Sequence, residues 1–213
     1  MRCTLMATAL LAAIVGPAIA RDLNPPPWDP ALPYQTTQTW EFTHGPGPAP
    51  TTFNNPYGQP WVQFVQGSYW DGSTPELPLI PGPTGELIQT WHIDQDTGGI
   101  WITILNNPLP NAEKRIFWQI TSDKAPGSPT STPPGVSLPD PYGPAGFPGG
   151  SAWYTYNGLY LIPGNPPEER IFFPFPASTN IEEIVIDTVC VPEPASLGLL
   201  AAGAIALIRR RRR

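Results

Sequence analysis

Thirty-two of the 213 residues are proline, and they fall in clusters. The groups at 25–33, 46–50, 75–83, 126–148 and 163–167 cut the chain into short apolar runs. Proline has no amide hydrogen to give and clashes with the preceding helical turn, so these breaks exclude long helices. Outside the two termini, no stretch keeps apolar residues at three-to-four spacing for more than two turns without a Pro or Gly. Eight Trp, seven Tyr and eight Phe oppose a disordered reading, because such chains lack the apolar surface to pack. The combination predicts a β protein whose loops carry the prolines.

Nine strands are expected, at 38–43, 61–66, 86–94, 99–105, 114–121, 152–157, 159–162, 170–175 and 182–190. The polar turn 95–98 reads as the closure of a hairpin between the third and fourth. Nine short strands with long loops predict an all-β domain, an antiparallel β-sandwich of jelly-roll type, over 21–190. Alternation groups Ile100, Ile102 and Ile104 on one face with Trp101 and Thr103 opposite. It likewise groups Ile116, Trp118 and Ile120 against Phe117 and Gln119, which makes Trp118 core and Trp101 a surface residue.

Both ends carry signals. Arg2, the apolar run Leu5 to Val15, the Gly16-Pro17 break and Ala18-Ile19-Ala20 form a signal peptide over 1–20. At the other end, Ser196 to Ile208 is uncharged and is followed by five arginines. As a helix it would reach roughly 20 Å, short of the ~30 Å hydrocarbon core, with the arginines holding its end cytoplasmic. Pro192 and Pro194 bias the backbone at Val191 to Glu193 to an extended form open to an enzyme at the membrane surface.

This tail, Val191-Pro192-Glu193-Pro194 with its short apolar helix and basic end at 191–213, resembles the PEP-CTERM sorting signal. The resemblance implies an exosortase-like transpeptidase as partner and a precursor held transiently in the inner membrane by the C-terminal helix. The destination it implies is the cell surface or extracellular matrix. The segments 93–121 and 184–188 are similar to PEP-CTERM proteins in which a last strand with an Asp-Thr pair runs into the signal.

Once both signals are removed, five basic and sixteen acidic residues remain between Arg21 and Cys190, a net charge of 5 − 16 = −11. Such a charge repels phosphate backbones, so nucleic acid is excluded as a partner. Cys3 leaves with the signal peptide and Cys190 stands alone, so no intramolecular disulfide forms.

Signals for chemistry are sparse. His44 and His92 have no Cys or Glu at ligand spacing, and no Gly-x-Ser-x-Gly is present. Glu168-Glu169 and Glu182-Glu183 are adjacent, so on a strand each pair splits between faces and cannot flank one glycosidic bond; solvated acidic loops are expected there. Asp94 and Asp96 open a turn that is similar to the start of a calcium loop, although Gly98 and Leu105 stand where further ligands belong. No other cofactor is indicated. Tyr69, Trp70 and Trp101 are candidate ligand-binding residues, because exposed rings stack on sugars. The reading is a non-enzymatic surface or matrix structural protein; the alternatives are a carbohydrate-binding module of extracellular polysaccharide and a glycoside hydrolase.

Overall fold

The structure, a computed structural model, describes residues 24–29, 32, 34–42, 49–65, 68–70, 80–81, 87–88, 90–96, 98–107, 112–147 and 152–192. Their regular elements are strands. One sheet contains β1 (Gln35–Glu41), β2 (Thr52–Asn54), β4 (Ser68–Trp70), β7 (Trp91–Ile93), β9 (Ala112–Ser122), β11 (Val136–Leu138), β12 (Ala145–Gly146), β13 (Tyr154–Ile162) and β15 (Thr179–Pro192). A second contains β3 (Trp61–Phe64), β8 (Gly99–Leu105), β10 (Thr130–Thr132) and β14 (Glu168–Pro174), and β5 (Ile80–Pro81) pairs with β6 (Leu87–Ile88) apart from both.

The larger sheet runs β11-β13-β9-β15-β1-β2, with β12 on β13 and β7 bridging β15 to β4; the smaller runs β10-β14-β8-β3. All pairings are antiparallel. The expected strand at 99–105 is β8 itself, and those at 152–157 and 159–162 are one strand, β13, that runs through Gly158. The short strands β2, β10, β11 and β12 fall in segments that read as loops. They are two or three residues long and lie at or near sheet margins, where proline-bounded sequence can still pair.

The hairpin expected around 95–98 does not form. β7 belongs to the larger sheet, flanked by β15 and β4, whereas β8 is flanked by β14 and β3 in the smaller one. With both edges of each strand occupied, the turn carries the chain from one sheet to the other. It is held by the Gly98 amide on Gln95 O at 2.8 Å and the Phe175 amide on Gly98 O at 3.2 Å.

The two sheets close on the isoleucine faces. Ile100, Ile102 and Ile104 are fully buried against Ile116, Ile120, Ile184 and Ile186. Trp118 spans the gap, edge-on to Phe173 with ring centroids 5.3 Å apart. The far face of the larger sheet is covered as well. Phe117 meets Tyr142 edge-on at 5.7 Å, and Gln119 both donates to and accepts from the backbone of Asn24 at 3.0 Å. The Tyr142 hydroxyl donates to Pro25 O, tying these two covering segments together.

Candidate functional site

Among the described residues, the outward face of the smaller sheet is covered less completely, although Thr103 at the centre of β8 is buried. Side chains directly opposite each other on antiparallel strands share a face, so Trp101 lies beside Phe172 on β14 and Gln63 on β3. One step along, Thr103 lies between Trp61 and Arg170, and Thr130 and Thr132 of β10 extend the two rows. Trp101 and Phe172 are half-buried, with ring centroids 5.0 Å apart and planes inclined by 36°. Trp61 is 38% exposed. The Arg170 guanidinium sits 5.1 Å from the Trp101 ring centroid and donates to Gln63 Oε1 at 3.1 Å. Three rings therefore stand on one sheet face flanked by the exposed side chains of Gln63, Thr130 and Thr132, while Thr103 between them is buried; such a face can stack a sugar and bond its hydroxyls at its margins.

The expected surface position of Trp101 agrees with this placement. Tyr69 and Trp70 lie on β4 of the other sheet, paired in register with His92 and Trp91; their side chains fall outside the described residues. They share no ladder with Trp101. Trp61, Phe172 and Arg170 were not among the candidates, although alternation along β14 already separates Arg170 and Phe172 from Ile171 and Phe173. Asp94 and Asp96 are exposed, and Asp96 Oδ1 accepts the Ala177 amide at 2.8 Å, a loop tie. Among the described residues, no group of three His, Cys, Asp or Glu side chains could hold a metal.

The adjacent glutamates need a correction. Glu168 and Glu169 do split between faces, but Glu169 is fully buried, and Glu182 and Glu183 are both buried beside an irregularity in register at Ile181/Glu183. Inward parity puts Glu169 on the core face with Ile171 and Phe173, and burial pushes its carboxyl up to about 7 against the pull of Lys114.

The expected signal peptide at 1–20 and the expected C-terminal helix lie outside the described residues, as do Glu193 and Pro194. Among the described residues no helix is long and apolar enough to cross a membrane. Val191 and Pro192 are the last residues of β15, paired with Glu113 and Ala112 of β9. The backbone there is extended, as the prolines require, but it is held in the ladder and is not the open linker expected. No spacer separates sandwich and tail. No curated protein and no solved structure matches the chain. Residues 191–213 match the family described as the PEP-CTERM protein-sorting motif. The chain thus carries a PEP-CTERM sorting signal continuous with its last strand, the mark of an exported protein handled by an exosortase.

Proposed function

We propose that this is a non-enzymatic surface or matrix protein that holds neutral extracellular polysaccharide on the outward face of its smaller sheet. The observation that carries the reading is the ring ladder of Trp61, Trp101 and Phe172, half-buried to exposed among the described residues, while the corresponding face of the larger sheet is packed over at Phe117 by Tyr142. Rings on a sheet surface offer stacking area to sugars, and Gln63, Thr130 and Thr132 offer hydroxyl partners beside them. The net charge of −11 over 21–190 favours an uncharged ligand. Along β3, β8, β10 and β14 the one outward carboxylate is Glu168, so this face has no pair to flank a glycosidic bond.

A glycan array probed with the exported protein tests the reading. Binding to neutral polysaccharide that quenches tryptophan fluorescence, and that weakens in Trp61→Ala and Trp101→Ala, supports it. Binding unchanged in both variants moves the site elsewhere, and no neutral glycan bound removes the proposal.

A further inference from the structure

Where β8 ends and β9 begins, polar side chains converge inside the sandwich. Lys114 and Glu169 are wholly buried, and Asn106 and Cys190 nearly so. Parity explains their position: Lys114 shares a face with Ile116 and Trp118, as Glu169 does with Ile171 and Phe173. Lys114 Nζ lies 2.5 Å from Asn106 Oδ1 and 3.6 Å from Glu169 Oε1. The Asn106 side-chain amide donates to Glu169 Oε2 and to Pro166 O. Glu169 Oε1 has no hydrogen bond of its own and faces the lysine.

A plain ion pair accounts poorly for this arrangement. Two charges taken out of water cost several kcal/mol each, and close pairing must offset that cost. Here the nearest partner of Nζ is an amide oxygen, with the carboxylate more than 1 Å farther off. A reaction at this pair starts from an amine without its extra proton and a protonated carboxyl, and Glu169 Oε1 is the acceptor that faces Nζ to take that proton. A neutral lysine is a nucleophile. Its target is close: the carbonyl carbon of Asn106 lies no more than about 3.7 Å from Nζ once a C=O bond is allowed for.

We propose that Lys114 and Asn106 join in an intramolecular isopeptide bond, with Glu169 carrying the proton between the two nitrogens. Nζ attacks Cγ of Asn106 and the carbonyl electron pair moves to Oδ1. Glu169 takes the proton released at Nζ through Oε1 and delivers one to Nδ2 through Oε2, the oxygens that face those two atoms. The Cγ–Nδ2 bond then breaks, the carbonyl re-forms and ammonia leaves. Lysine loses one hydrogen, the departing nitrogen gains one, and Glu169 ends in the state in which it began. No oxidant or other co-reactant enters. Burial holds the Glu169 carboxyl in its acid form to higher pH than usual, which suits that role. The bond would tie the end of β8 in the smaller sheet to β9 in the larger, a covalent brace between layers in a chain whose sequence past the signal peptide has a single cysteine.

The full chain, denatured and weighed by mass spectrometry, is expected to be lighter than its sequence by one ammonia. Digestion after glutamate cuts the backbone at Glu113 and should release a branched product in which the peptide bearing Asn106 stays attached to the one beginning at Lys114. Full sequence mass overturns the proposal, and so does ammonia loss without the branched product, which would mean a cyclised asparagine. Lys114→Met and Asn106→Ala should both restore the full mass; a branched product persisting in either assigns the link to other residues and overturns it. A Glu169→Gln chain with native circular dichroism should remain unlinked. If that variant does not fold, Glu169→Asp should link more slowly than the parent, and linkage at the parent rate removes Glu169 from the reaction.

Discussion

Trp118 on β9 and Gly158 on β13 are direct partners in the ladder, and the Trp118 indole fills the space that a side chain at 158 would need. A Cβ at Gly158 would collide with the ring atoms Cζ2 and Cε2. The smallest residue thus sits opposite one of the largest, and together they let β13 run unbroken across the core. Gly158→Ala is expected to lower stability by about 1–3 kcal/mol, the usual result of overpacking a filled site. Thermal unfolding of the variant checks this; an unchanged midpoint would mean that the ring can move aside.

The same ring sets the order of two tryptophan truncations. Trp118 is nearly buried and packs edge-on against Phe173, so Trp118→Ala should cost roughly 3–5 kcal/mol. Trp101 is half-buried on the outward face, leaning on Phe172 and Arg170, and Trp101→Ala should cost clearly less. Denaturant titrations of the two variants give the comparison, and a reversed order would place the outward face of β8 inside.

Cys190 lies beside Lys114, with its thiol donating to Asn165 Oδ1 at 3.3 Å. Burial pushes this thiol up, outweighing the opposite pull of Lys114. The native chain is therefore expected to resist alkylation at a pH where a free thiol, near 8.5, reacts readily, and to react on unfolding. The linkage has a definite sign. A raised value means that the folded chain keeps its proton where the unfolded one loses it, so this group's contribution is full below the unfolded thiol's pKa and declines as pH rises above it. Equal alkylation of native and unfolded chains would contradict the burial.

Pro192 is both the end of β15 and the first proline of the sorting motif, so processing has to act within reach of a paired strand. Replacing Pro192-Glu193-Pro194 with alanines is expected to leave a longer, membrane-retained form. Fractionation followed by mass spectrometry separates the outcomes: a variant processed and released like the parent shows that these residues are not what the enzyme reads.

Much of this protein is written in local sequence. The terminal signals read as contiguous strings, the proline clusters bar long helices, and a period of two assigns Ile100, Trp101 and Trp118 to their faces without reference to any partner. Tertiary structure decided what those faces meet. Strand parity cannot say which strand lies alongside, so the turn after β7 reads as a hairpin until β15 and β4 are seen to occupy β7's edges. It gives Phe117 to the side away from the isoleucines, but not the Tyr142 loop that packs over it. Nor can it bring Asn106, Lys114 and Glu169 together: the first and last are 63 positions apart, and their meeting depends on how two sheets stack. Alternation is a property of the extended backbone at each residue, whereas pairing and stacking are settled by the whole chain minimising exposed apolar surface at once.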